Sequence, residues 1–358
     1  MGDAVRGRAL LLALACLLSA CTALPEPAGP PAPPGAGPGP LRGERVEGLG
    51  KLSLLMPSSP PTVLDAATGE FREVPGAPGG DRVYTVLRAG STPVLLSAAR
   101  CAPLCADPGE VLVYQDGRLR SLGTARSAAA AEGGGTADGL WLIRDDGAGL
   151  CRLTWISLAG VERDAGSPAS CQTTLRQSGD AGLLITVQAG RPSAEDVLID
   201  PATGATRQQF PRIAALSGNR LLLEGLTDFT VLELDTDRRH QLARPVPGGE
   251  PSRASPSRDG RFLAVPVEHA NWWGGPLRAV DIWVLDLGSL AWLRVPSMPL
   301  QAEFAGHALD WSESGALVLI GKFAGESVLG TWRPGEPSWR FRPVALPSPH
   351  GLTVAAVG

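Results

Sequence analysis

The 358-residue chain is poor in the side chains that most often carry chemistry. It has four histidines (His240, His269, His307 and His350), two tyrosines and three methionines. No G-x-S-x-G elbow, H-E-x-x-H pair, Walker loop or G-x-G-x-x-G turn occurs. The local signatures of serine hydrolases, zinc proteases, NTPases and dinucleotide-binding folds are therefore missing. The net charge is −4 and no basic run exists, so nothing supplies the electrostatic footprint of nucleic-acid binding. Two of the 32 basic residues are lysine, Lys51 and Lys322. Past the N-terminal segment no apolar run approaches the ~20 residues of a spanning helix. Amphipathic helices are also missing. Thr124–Glu132 (TARSAAAAE) is the one helix-prone stretch, ended by the glycines from Gly133. There is no Cys-x-x-Cys, and the paired carboxylates of DTDRR (235–239) have no EF-hand continuation. No metal, cofactor or catalytic residue is assigned on these grounds.

What is present begins at the N-terminus. Arg6 and Arg8 precede an apolar core, ALLLALACLL (Ala9–Leu18), and small residues follow it. That order marks a secretory signal, and the core is too short to cross a membrane as a helix. The segment ends Leu18-Ser19-Ala20-Cys21, which resembles the lipobox of bacterial lipoproteins. The resemblance implies cleavage after residue 20 and acylation of Cys21, so the chain is expected on a cell membrane or outer membrane, outside the cytoplasm. Residues 21–46 read as a linker. Pro25, Pro27, Pro30, Pro31, Pro33, Pro34, Pro38 and Pro40 leave no apolar periodicity for a core. Such a segment favours extended polyproline II at about 3.1 Å per residue and acts as a tether.

Residues 47–358 repeat one pattern: an apolar run, a turn, then an alternating polar run. The clearest copies start at Thr62, Val111, Cys151, Asp196, Thr230, Asp281 and Val328. Each reads as a β-hairpin. The turn-entry residues Asp65, Gln115, Ser157, Asp200, Asp235, Asp286 and Arg333 recur about every 45 residues, the period of a four-stranded propeller blade. Upstream strands show at 138–146, 218–225, 259–267 and 314–322. Ser257 to Pro296 (SRDGRFLAV…DIWVLDLGSLAWLRVP) resembles the Ser-x-Asp-Gly…Trp-x-x-Asp repeats of TolB-like and WD-repeat-like propellers, and 310–320 is a second, partial match. The expected fold is thus all-β, a seven-bladed β-propeller of four-stranded antiparallel blades. LTVAAV (352–357) is expected to supply the missing innermost strand of the first blade and close the ring.

Four cysteines remain after the signal and the anchor: Cys101, Cys105, Cys151 and Cys171. In an exported chain they are disulfide candidates. Sequence proximity favours 101–105 and 151–171, on the face that carries the b–c and d–a loops. On the same face, the b–c loop of blade 6 holds Glu268, His269, Asn271, Trp272 and Trp273. Two adjacent tryptophans there suit contact with a protein or glycan, and tryptophan is enriched at binding hot spots. Most of the other seven tryptophans fall on strands and read as blade packing. The functional expectation is a membrane-anchored, non-catalytic binding or scaffold module, a monomeric ring. The alternative is a propeller lyase or hydrolase acting on an envelope polymer, for which His307, near the axis, is the candidate group.

Overall fold

Turn chemistry sets the hairpins. Asp65, Asp200 and Asp286 each accept a hydrogen bond from the backbone N–H two residues on (Ala67, Ala202 and Gly288, 2.7, 2.8 and 2.9 Å). These Asx turns reverse the chain after a short apolar strand. The strands are grouped in fours, lettered a to d from the axis outward. The computed structural model describes residues 43–80, 82–99, 108–131, 139–147, 150–187, 195–210, 212–252, 254–269, 278–296, 300–302, 308–323, 326–346 and 355–357. The expected signal segment, Cys21 and the expected linker up to residue 42 lie outside these residues.

Blade 2 is Arg82–Ala89, Thr92–Ala99, Gly109–Gln115 and Arg118–Ala125. Blade 3 is Ser127–Ala131, Gly139–Asp145, Cys151–Ser157 and Glu162–Ala169. Blade 4 is Thr174–Gly179, Gly182–Val187, Glu195–Ile199 and Thr206–Phe210. Blade 5 is Ile213–Ser217, Arg220–Glu224, Asp228–Glu233 and Arg238–Ala243. Blade 6 is Ser255–Pro256, Phe262–His269, Arg278–Asp286 and Ala291–Arg294. Blade 7 is Ala308–Trp311, Leu317–Phe323, Glu326–Trp332 and Arg340–Pro343. Blade 1 takes its a strand from the other end of the chain: Ala355–Val357 pairs antiparallel with Ser53–Met56, followed by Thr62–Asp65 and Phe71–Glu73. Every expected hairpin is in place, and so is the expected closing strand.

Innermost strands touch in ring order, each against the next and blade 7 against blade 1. Apolar cores lie between neighbouring blades, one for each of the seven junctions. Trp311, Trp332 and Trp339 are buried in the core between blades 6 and 7. Trp141 lies between blades 3 and 4.

The one helix-prone stretch is strand over most of its described residues: through Ala125 it ends strand d of blade 2, and Ser127–Ala131 is strand a of blade 3. Alanine is the best helix former, but seven strands converge at the axis and small side chains suit the crowding there. Tertiary packing overrides the propensity.

Both ends of the described chain meet at the junction of blades 7 and 1. Glu44–Arg45 runs parallel to Arg340–Phe341 as an added outer strand of blade 7. Arg342 of blade 7 reaches the c–d turn of blade 1, donating to the carbonyls of Ala66, Ala67 and Thr68 at 3.2, 2.5 and 2.9 Å. Near the axis, Asp310 Oδ2 accepts from Ala356 N at 2.6 Å and from Arg88 Nη1 at 2.8 Å. The same Nη1 donates to Trp311 O at 2.7 Å. One carboxylate thus ties blades 7, 1 and 2 together. Burial pushes the Asp310 carboxyl above the usual carboxylate range, against the pull of Arg88.

Two outcomes follow from this closure. Truncation after His350 removes strand a of blade 1 and should lower the melting temperature by roughly 10 °C or more; an unchanged melting point would overturn the closure. Arg88→Leu leaves Asp310 buried without its cation, at a cost of about 3–5 kcal/mol. Without Arg88 the folded-state pKa of Asp310 rises further. Stability associated with the bound proton is then present at low pH and lost as pH rises through that pKa. Denaturant titrations should therefore show a deficit relative to wild type that grows as pH rises above the ordinary carboxylate range. A pH-independent deficit would contradict this role for Asp310.

Candidate functional site

The innermost strands enclose a cavity of about 630 Å³, lined by residues of blades 1, 2, 3, 4, 6 and 7. That volume is within the roughly 300–1,000 Å³ of small-molecule sites. Ser127 to Ala130 gives one wall small side chains. Arginines from three successive blades line it as well: Arg88, Arg126 and Arg176. Strand a of every blade runs from the d–a face toward the a–b face. Arg126, just before its strand, therefore stands at the d–a end, and Arg88 near the a–b end.

Each arginine is held by a carboxylate. Arg126 Nη2 lies 2.7 Å from Asp145 Oδ2, and Arg176 Nη1 lies 2.7 Å from Asp196 Oδ2. Asp196 is itself fixed by Thr186 Oγ1 at 2.7 Å and by the N–H of Ile213 in blade 5 at 2.9 Å. The hydrogen bond from Arg126, then that from the Gly147 N–H, holds the Asp145 carboxyl below its ordinary value. The polar wall is thus a set of oriented ion pairs.

Glu268 lines the cavity from strand b of blade 6. Strands b and c of this blade, Phe262–His269 and Arg278–Asp286, form a long hairpin, with Glu268 opposite Val280 and His269 opposite Ala279. Beneath its open end lies Asp281, fully buried. It accepts from Arg294 Nε at 3.1 Å and Trp283 Nε1 at 3.1 Å. Burial pushes the Asp281 carboxyl up while Arg294 pulls it down. This pair, half-buried at Arg294 and fully buried at Asp281, anchors the stem of the hairpin. Asn271, Trp272 and Trp273 of the b–c loop, and the side chain of His269, lie outside the described residues. So do His307 and His350.

Cys151 and Cys171 form a disulfide, with Cα atoms 5.1 Å apart. It joins the start of strand c of blade 3 to the connection toward blade 4, on the b–c and d–a face. Cys101 and Cys105 lie outside the described residues. Blades 4 and 5 stand between the disulfide and the blade 6 hairpin on one side of the ring, so the two features are not brought together. The arginine wall was not read from the sequence. Its one signal is an arginine at about one per repeat on or beside the innermost strands, which are the least patterned part of each unit.

No family model matches the chain, and no curated protein matches it. Among solved structures, a protein from Lactobacillus plantarum is similar at 12% identity, over 86% of this chain and 99% of that one, with a TM-score of 0.47. The SapL1 lectin, solved with alpha methyl fucoside, is similar at 10% identity over 75% of this chain and 97% of that one, TM-score 0.43. TolB from Acinetobacter baumannii is similar at 9% identity over 70% of this chain and 63% of that one, TM-score 0.40. All three TM-scores fall below 0.5, so the blade count and topology rest on the strand pairing of this chain itself.

Proposed function

We propose that the protein is a lipid-anchored, extracytoplasmic propeller that binds a protein or glycan partner across the mouth of its axial cavity without catalysing a reaction. The observation that carries this reading is the cavity wall. Arg126–Asp145, Arg176–Asp196 and Arg88–Asp310 are ion pairs of fixed geometry. Groups committed in this way present an ordered polar surface, which suits recognition better than proton transfer. The blade 6 hairpin opens beside Glu268, on the d–a side of the same cavity, and the sequence between its strands carries Trp272 and Trp273, the proposed apolar anchors. Acylation of Cys21, with the Pro-rich linker as a tether, is the basis for holding the propeller in the cell envelope.

The test is crosslinking in intact cells followed by affinity capture. Trp272→Ala/Trp273→Ala should weaken recovery of the specific partner by roughly tenfold or more, the effect of losing a hot spot. Undiminished recovery of the same partner would remove the loop from the reading. Cys21→Ser should move the chain from the membrane fraction to the soluble fraction with its melting temperature unchanged. Retention on the membrane would remove the anchor.

A further inference from the structure

A second cavity lies at the junction of blades 7 and 1, on the a–b and c–d face, away from the loops just described. Its volume is about 300 Å³, the lower end of the small-molecule range. Blade 7 contributes its a–b turn (Ser312 to Ala316) and its c–d turn (Thr331 to Glu336). Blade 1 contributes Leu49, Lys51 and Leu52, which lead into strand b, and Ala356 of the closing strand. The apolar floor includes Trp332, whose Nε1 donates to Glu336 O at 3.0 Å.

Three cationic residues line this cavity: Lys51, Arg333 and Arg340. Among the described residues none of them has a carboxylate within ion-pair distance. That sets them apart from the arginines of the axial cavity, each of which is paired. Of the two acidic residues of the lining, one is neutralised by a cation and the other keeps its charge, against three cations. Glu313 pairs with Arg258 at 2.9 Å, and Glu336 Oε2 accepts from the Arg333 N–H at 3.0 Å. Hydroxyl donors stand at Ser312 and Ser314, whose Oγ atoms are 3.0 Å apart. One of the chain's two lysines is placed here.

We propose that this cleft binds a phosphate group. Arginine offers a planar fork to phosphate oxygens and lysine a compact point charge, and hydrogen bonds to an ionised partner are the strong ones. An apolar floor under a cationic rim fits a phosphomonoester or the glycerophosphate head of an anionic lipid. Because its walls come from blades 7 and 1, an occupant also bridges the junction at which the ring closes, and binding should stabilise the fold.

The probes are inorganic phosphate, and vesicles of phosphatidylcholine with or without phosphatidylglycerol. The protein is the full chain carrying Cys21→Ser, so that vesicle binding does not come from the anchor. Phosphate should raise the melting temperature where chloride of equal ionic strength does not, and Lys51→Gln/Arg333→Gln should weaken phosphate affinity by roughly tenfold. That result assigns the site to a free phosphate compound. Phosphatidylglycerol-dependent cosedimentation lost in the same variant assigns it to a lipid head group. Absence of both effects, or equal binding by variant and wild type, overturns the proposal. If the double variant melts lower in phosphate-free buffer, Lys51→Gln alone decides, since Lys51 is exposed and makes no ion pair.

Discussion

Seven sheets present one edge each to a common axis, and every edge carries backbone groups that its own blade does not pair. Such edges are costly to bury unless something satisfies them. Here side chains of the neighbouring blade do so. Ser127 Oγ accepts from Leu175 N at 2.9 Å, and Ser178 Oγ returns a hydrogen bond to Ala130 O at 2.8 Å. Gln177 Oε1 accepts from Leu216 N at 2.8 Å. Trp311 Nε1 donates to Ser255 O at 3.0 Å. Asp310 and Arg88 continue the series across the closing strand. Each such bond stabilises by about 1 kcal/mol, and each would cost more than that if broken on one side alone.

The same requirement shapes the axial cavity. The residues that satisfy the edges are polar, so they leave a polar wall. Asp196 shows the coupling: it accepts the N–H of Ile213 in blade 5 and holds Arg176 toward the cavity. A substitution at such a position would change the cavity surface and the blade contact together. The cleft between blades 7 and 1 is built differently. Its cations sit on the c–d turn and the outermost strand of blade 7 and on the segment entering blade 1, away from the converging edges, so its charge can vary without loosening the ring.

What could be read from the sequence was what is local. The c–d hairpins follow from alternation and from Asx turns such as those at Asp65, Asp200 and Asp286, and both signals lie within a few residues. The closing strand could be inferred because the first repeat lacked a partner. The innermost strands resisted reading because their composition answers to the axis rather than to their own pairing. Ser127–Ala131 is the plainest case, with helical propensity and a strand conformation. The arginines of the cavity were equally hidden. Their partners lie on strands b, c or a of the same or another blade, as Arg88 and Asp310 do across 222 positions. The cysteine pair 151–171 was legible from proximity.

Blade 1 is divided between two distant parts of the chain. Ser53–Met56 must wait for Ala355–Val357, which follow about 300 positions later. At synthesis rates of about 5–20 residues per second, that interval is on the order of 15–60 seconds. Blades 2 to 6 have all their strands well before it ends, while the junction between blades 7 and 1 stays open throughout. Until that strand docks, the folded blades form an unclosed arc with two exposed edges, and its pairing converts the arc into a ring.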